Sequence, residues 1–317
     1  MTKLPHSLRF RGASALAQSY PVKPIRWLNA SAPGGAHDVV ARGLTPAMNE
    51  FLGQPLITEN MPAAAGIAAM AALTRATPDG YTIAIATSPL LTVTPFIQAK
   101  VPYDSLKDFT HVGAIGALSS VVFVHNSVPV TTFKELVDYS KANPGKFNVP
   151  VGLGAAVHLA ALSLEQRTQS KWVYVPTKGG QASIMAVATG EGDFLFMGML
   201  QTLPHVKSGR LKLLAVSSEK RDPNVPNIPT VQETPGLEGF VTGTYQGIMG
   251  PAKIPADIVN KINSEVKRIL GLPDIRERLA SYSTTPMPMT PQDLAKWMLT
   301  EKDKWGVVVK TSRFKID

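Results

Sequence analysis

The sequence predicts an α/β fold in two lobes, with parallel-dominated sheets and strands that cross from one lobe to the other. Three observations predict it. From Ile25 onward short apolar runs alternate with helical periods, the order that builds parallel sheets through right-handed crossovers. The chain has 317 residues, 44% of them hydrophobic, which is about two domains' worth at roughly 150 residues each. Its 25 glycines and 26 prolines fall mostly between the periodic segments, where they punctuate short elements.

The elements follow in order. Ile25–Ala30 reads as a strand and Ser31–Gly35 as a turn. Val40, Leu44, Met48 and Leu52 then recur every fourth residue, the apolar stripe of a helix that stops at Gly53. Pro55–Asn60 is a second strand, Ala63–Thr74 an Ala-rich helix, and Tyr81–Thr87 a third strand after Pro78-Asp79-Gly80. Val112–Val124 is long, apolar and rich in Gly and Val, as a strand crossing between lobes would be. Thr132 and Glu135 form a capping box that opens a helix to Ala142. Strand Phe147–Val151, helix Ala155–Gln166, strand Trp172–Val175, helix Gly180–Thr189 and strands Asp193–Met197 and Leu211–Ser217 make a second α/β unit. A Pro-rich connection, Pro223–Pro235, leads to Tyr245–Gly250, which is placed to cross back. The end is helical: Ala256–Leu270, Asp274–Ser281, and Pro291 to about Val309, with Met199, Leu203 and Trp297 read as core.

Composition removes several classes of function. Charged residues make up 17%, below the ~25% usual in soluble domains, so neither a disordered chain nor a coiled coil fits. With no cysteine, disulfides, thiol catalysis and Cys-ligated metals are excluded. The net charge of +9 is spread along the chain without a run of five basic residues, so a diffusely basic surface is expected and a nucleic-acid partner is not. The uncharged stretches Gly80–Ala99 and Val112–Phe133 are interrupted by Pro and polar residues and read as strands with turns rather than membrane spans. At the start, Lys3, Arg9 and Arg11 precede Ala15-Leu16-Ala17, which looks like a signal-peptide cleavage site lacking most of its apolar core. Residues 1–19 therefore read as a residual signal-like tail, shortened or incomplete.

Motifs for catalysis are missing: there is no Gly-x-Ser-x-Gly elbow, no His-Glu-x-x-His pair and no phosphate loop. Gly152-Leu153-Gly154 begins like a dinucleotide fingerprint, but Val157 stands where the third glycine belongs. The six histidines have no close metal-ligand spacing. No enzyme, metal or cofactor is expected. What remains are three glycine-rich strand-to-helix turns, at Pro33-Gly34-Gly35-Ala36-His37-Asp38, Val151-Gly152-Leu153-Gly154-Ala155-Ala156 and Thr177-Lys178-Gly179-Gly180. A helix start offers unpaired N–H groups and partial positive charge, and glycine lets a ligand approach that backbone. Any βα turn favours glycine, so one such turn is architecture. Three, in two lobes, suggest an anion held between helix starts by neutral amides.

A longer series of residues carries a family resemblance. Tyr20-Pro21-Val22-Lys23-Pro24-Ile25, Pro33-Gly34-Gly35-x-x-Asp38, Leu52-Gly53-Gln54-Pro55, Glu59-Asn60-x-Pro62-x-Ala64-x-Gly66 and Pro78-Asp79-Gly80-Tyr81-Thr82 occur in that order. Gly190-x-x-Asp193, Gly209-Arg210-Leu211-Lys212 and Pro229-Thr230-Val231-x-Glu233 continue it. The chain thus resembles the substrate-binding proteins of tripartite tricarboxylate transporters, the Bug-type family.

The resemblance implies a periplasmic-binding-protein-like, type II clamshell fold that closes on a small carboxylate and presents it to membrane permease subunits, as a periplasmic monomer. Lobe I would comprise residues 20–119 plus 246–317, and lobe II residues 120–245. The ligand-binding positions it implies are Pro33, Gly34, Gly35, His37, Asp38, Thr87 and Ser88 from lobe I. From lobe II come Gly154, Ala155, Ala156, Thr177, Lys178 and Gly179, with Tyr245 before the last crossing. Similar proteins usually have a hydroxyl near 155–156, Tyr at 177, Asp or Asn around 197–198 and Trp at 245. Here stand Ala155, Ala156, Thr177, Met197, Gly198 and Tyr245, and His37 is unusual within its turn. The second half of the pocket is therefore expected to be less polar and roomier, suiting one firmly held carboxylate on an apolar or aromatic body. The alternatives are a sensor that binds the same acid and docks a signalling receptor, and an enzyme on a degenerate clamshell.

Overall fold

A computed structural model describes residues 20–98 and 100–312; the signal-like tail at 1–19 lies outside them. A six-stranded sheet is built from β1 (Ile25–Asn29), β2 (Leu56–Asn60), β3 (Thr82–Thr87), β4 (Phe109–Leu118), β10 (Thr244–Pro251) and β11 (Thr284–Pro286). Its order is β11-β4-β10-β3-β1-β2. β1 pairs in parallel with β2 and β3, whereas β10 runs antiparallel between β3 and β4. Both faces of this sheet are covered: Ile25 and Trp27 join one apolar cluster and Leu28 another, so β1 is buried on both faces except at Arg26.

Helix α1 (Ala36–Leu52) packs its stripe of Val40, Leu44, Met48 and Leu52 against the first face. Each such side chain contributes about 1.5–3 kcal/mol on burial. Gly53 ends it in the left-handed region, φ 68°, donating its N–H to the Asn49 carbonyl at 3.0 Å. The helix expected over 63–74 is in fact a 3₁₀ turn, Ala63–Gly66, followed by α2 (Ile67–Thr74); the break comes where Ala64 and Ala65 adopt positive φ. Two short helices absent from the sequence reading, α3 (Ser88–Thr92) and α4 (Thr94–Ile97), follow β3.

The long run expected as one strand is two. β4 ends at Leu118 in the six-stranded sheet, and β5 (Ser120–His125) enters a three-stranded sheet between β8 (Phe194–Gly198) and β9 (Leu211–Val216), antiparallel to both. A two-stranded parallel ladder of β6 (Asn148–Val151) and β7 (Val173–Pro176) adjoins it. Parallel pairing thus survives where βα units repeat, and the crossing strands make the sheets mixed. Helices α5 (Phe133–Ala142), α6 (Ala156–Thr168), α7 (Gly180–Ala188) and α8 (Met199–Lys207) surround these strands. A separate core of Val121, Phe123, Leu136, Leu164, Ile184 and Phe196, among others, fills the space between them.

Two connections return the chain to the first sheet's surroundings. β10 lies in that sheet, with Tyr245 buried against Trp297 at 4.7 Å between ring centroids. Gly247 makes room for that ring, since a Cβ there would fall 1.6 Å from the Tyr245 hydroxyl. Helices α9 (Ala256–Gly271), α10 (Pro273–Ser281) and α11 (Pro291–Ser312) follow. α11 buries Leu294 and Met298 against the first sheet's second face, then Trp305, Val308 and Val309 against Leu159 and Leu162 of α6. It is an apolar strap between the lobes. No described helix is long and apolar enough to cross a membrane.

Candidate functional site

The crossing point at Leu118–Ser120 lies at the bottom of a cleft of about 320 Å³ that both lobes line. Four helices begin there. The residue just before each helix, Gly35 for α1, Ala155 for α6, Gly179 for α7 and Gly198 for α8, lines the cleft, and none offers a capping side chain. By contrast Thr132 and Glu135 close a full capping box on α5, although α2, α3, α9 and α10 also start without a side-chain cap, so what sets the four apart is that they converge on one cleft. The first N–H groups of a helix have no partner within it, and together with the dipole they favour an anion. Of those beside the cleft, the Met199 N–H reaches the Ser119 carbonyl at 3.3 Å and the Leu159, Val39 and Ser183 N–H groups already close the first turns.

On lobe I the Pro33-Gly34-Gly35 turn is braced from below by Asp38, 1% exposed. Its carboxylate accepts from Asn29 Nδ2 at 2.9 Å, the Gly34 N–H at 2.9 Å, Arg42 Nε at 2.8 Å and Asn60 Nδ2 at 2.8 Å. Burial alone would raise the Asp38 pKa. The hydrogen bonds from Asn60, Gly34 and Arg42 outweigh burial and hold it below the usual carboxylate range. With both oxygens doubly engaged, Asp38 shapes the turn and does not line the cleft. His37, by contrast, does line it; burial pulls its imidazole down to about 4. Its carbonyl accepts from Gln246 Nε2 at 2.7 Å.

On lobe II, Gly154 and Gly179 take positive φ, 78° and 103°, conformations that favour glycine. The Gly154 N–H donates to Nδ1 of the buried His158 at 3.0 Å, and burial pulls that imidazole down to about 4 as well. Gly152, Ala155, Ala156, Val157, Gly179 and Gly180 give this wall small residues, and Met197 lies against Gly180, its Cε 3.1 Å from where a Cβ would be.

Of the positions expected from sequence, Gly35, His37, Ala155, Ala156 and Gly179 line the cleft. Gly34 and Gly154 shape its turns from one residue away and Pro33 from two. Thr177 bonds Ser183 through the two hydroxyls at 2.6 Å, and Lys178 is exposed beside it. Thr87 precedes α3 and opposes Gln246 in the sheet. The Ser88 hydroxyl is buried, accepting from the Tyr245 N–H at 3.1 Å. Tyr245 itself points into the lobe I core, so the structure does not bring Thr87, Ser88, Lys178 or Tyr245 to the lining. Sequence reasoning missed Ser31, Leu118, Ser119, Ser120, Gln201 and Thr244, which do line it. The alternation of β10 would have found Thr244, since it lies on the opposite face from Tyr245.

Among the described residues no Lys, Arg, Asp or Glu lines the cleft, and no group of three His, Asp or Glu is placed to hold a metal. The site is built to surround an anion with neutral donors: backbone N–H groups and the hydroxyls of Ser31, Ser119, Ser120 and Thr244. A family model described as the tripartite tricarboxylate transporter family receptor, TctC, matches residues 40–313. The chain belongs to this receptor family.

The receptor is 30% identical over 292 residues to a UPF0065 protein in the tcbD-tcbE intergenic region of Pseudomonas sp. strain P51, covering 92% of this chain and 87% of that one. It is 28% identical over 306 residues to Protein BugT of Bordetella pertussis, covering 96% and 94%. Among solved structures it is similar to R. palustris Rpa4515 with adipate, with a TM-score of 0.83 at 26% identity over 93% of this chain and 99% of that one. MatC from Rhodopseudomonas palustris with bound malate gives 0.77 at 29%, over 92% and 100%. The periplasmic binding protein BugD gives 0.78 at 26%, over 93% and 99%. The two-lobed binding-protein fold follows from these likenesses.

Proposed function

We propose that the receptor captures a small carboxylate in the cleft between its lobes, in the periplasm and as a monomer, and presents it to the permease subunits of a tripartite transporter. The observation that carries this reading is the convergence of four helix starts, each preceded by a residue without a capping side chain, on one cleft lined by both lobes. Such an arrangement holds negative charge without a cationic side chain, and the net charge of +9 draws anions toward it. Adipate and malate in the neighbouring structures are both carboxylates, which supports the same class here. The absence of a nucleophile–base pair from the sequence motifs favours binding without turnover.

One carboxylate sits on the lobe I side, at Gly35, Ala36 and His37, and the ligand's body faces Ala155, Ala156 and Met197. An aromatic or otherwise apolar body suits that wall, because a second charged end placed there would leave a polar group against methyl and thioether surface, at about 1–3 kcal/mol. Contacts made to both lobes at once favour the closed form, and this is how capture becomes a conformational signal to the permease.

The test is thermal unfolding of refolded, ligand-stripped protein against aromatic and aliphatic mono-, di- and tricarboxylates. A ligand at 100 times its dissociation constant adds about 2.7 kcal/mol, a clear rise in the midpoint. The reading predicts a selective rise with one class of carboxylate. No rise with any acid would remove the carboxylate from the proposal. A short aliphatic dicarboxylate binding far more tightly than benzoate-like acids would remove the apolar body.

A further inference from the structure

His37 stands apart from everything else in the cleft. Among the described residues it is the one ionisable side chain on a lining otherwise made of glycine, alanine, hydroxyl, amide and apolar residues. Its Nδ1 is buried with no hydrogen-bond partner. The residue that fixes its backbone, Gln246, has the same defect. Gln246 is 1% exposed, and its Nε2 is committed to the His37 carbonyl at 2.7 Å. That bond assigns the amide, since only the nitrogen can donate to a carbonyl, and it leaves Oε1 as the free end. Oε1 is also buried without a partner. Gln246 follows Thr244 by two residues on β10, hence on the same face of the strand, and Thr244 lines the cleft. Two unpaired buried polar atoms therefore sit on a bonded pair of residues, His37 in the first turn of α1 and Gln246 on β10 behind it, next to the place where the lobe I carboxylate is proposed to bind. Buried polar atoms are nearly always satisfied in a native structure, by protein, water or ligand.

We propose that His37 and Gln246 select carboxylates that carry a hydroxyl near the carboxylate, the ligand O–H donating to Gln246 Oε1 and its oxygen accepting from His37 Nδ1–H. The inference rests on the carboxylate reading above. The chemistry of the two atoms narrows the ligand group. Oε1 can only accept, so a second carboxylate oxygen cannot satisfy it. An ammonium could donate to both, but it would enter a cleft ringed by the positive ends of four helices with no acidic side chain on its lining, which disfavours a cation. A hydroxyl both donates and accepts. The imidazole is suited to the task because burial pulls it down to about 4, so at neutral pH it carries one N–H and adds no charge.

The experiment is titration calorimetry of ligand-stripped protein with matched acids that differ only in the hydroxyl: mandelate against phenylacetate, lactate against propionate, and malate against succinate. The wild type is expected to bind the hydroxylated member about tenfold more tightly, the size of one good buried hydrogen bond. His37→Phe keeps the bulk and removes both ring nitrogens, and is expected to bring the two members of each pair level. His37→Asn, whose amide can occupy the Nδ1 position, is expected to restore part of the preference. Equal affinities within every pair in the wild type would overturn the inference and leave the carboxylate reading standing. A preference retained by His37→Phe would overturn the role of His37. Binding of no acid in any pair, or in the wider panel, would remove the carboxylate reading and this inference with it.

Discussion

On the lobe I side of the cleft the helix start is held by charge: one buried carboxylate gathers Asn29, Gly34, Arg42 and Asn60. On the lobe II side the turns are held by backbone conformation and by a neutral ring, with Gly154 and Gly179 at positive φ and His158 accepting from Gly154. Both present unsatisfied amides to the same space, but they differ in what surrounds those amides. The braced turn of lobe I has polar neighbours fixed in place and suits a constant group, the carboxylate. The lobe II wall of glycine, alanine and Met197 makes few demands on the ligand's other end. The comparison teaches that a receptor can keep one half of its site rigid and polar while leaving the other half to vary.

Breaking the lobe I brace is expected to have the largest effect. Asp38→Ala leaves the Asn29 and Asn60 amides without their shared acceptor and removes the partner of Arg42; a loss of about 3 kcal/mol in stability is expected by chemical denaturation. Carboxylate binding should fall with it, because the Gly34 N–H loses its anchor. A loss below about 1 kcal/mol would mean that the network is not what holds the turn.

Acid probes the imidazoles on both sides of the cleft, His158 in lobe II and His37 in lobe I. The folded His158 and His37 imidazoles resist protonation down to about 4, against an ordinary value of 6.5, so unfolding takes up protons between those values. Stability should be nearly level above pH 6.5 as far as these groups are concerned and should fall as pH drops from 6.5 toward 4. His158→Gln is expected to flatten part of that slope in urea titrations at several pH values; an unchanged slope would place the proton uptake elsewhere.

The smallest effect sharpens the contrast between capped and uncapped helix starts. Thr132→Ala removes a capping box on a helix that contributes nothing to the cleft lining and should cost about 1 kcal/mol of stability while leaving carboxylate affinity unchanged. A change in affinity would show that general destabilisation, rather than the cleft's own donors, controls binding.

How much of this was legible beforehand depended on parity and on punctuation. The three glycine turns were visible because positive φ favours glycine at Gly34, Gly154 and Gly179. Asp38 was visible as part of a motif, yet its engagement by four donors depends on Asn60, a residue from another strand. Ser119 and Ser120 were hidden inside an uncharged run that reads as one strand, although the switch between sheets happens at those two residues. The start of α8 was hidden because Met199-Leu200-Gln201-Thr202-Leu203-Pro204 has a proline within the helix. Along β10 a single step of register separates Tyr245, which packs on Trp297, from Thr244 and Gln246, which face the α1 side. A resemblance can mark the segment, but only the pairing with β3 and β4 decides which of its residues lines the cleft.

The most direct test of the central claim supplies one uncapped helix with its own anion. Ala155 precedes α6 in the extended conformation of a helix cap, φ −67° and ψ 159°, and is exposed at the cleft. Ala155→Asp should therefore cap α6 from within, and the measurement is titration calorimetry of this variant with the best carboxylate, beside its ligand-free melting curve. The account predicts a ligand-free protein stabilised by about 1 kcal/mol whose affinity for the carboxylate falls at least ~10-fold, because the donors are occupied and a like charge stands beside them. A stabilised variant that binds the carboxylate as tightly as the wild type would contradict it.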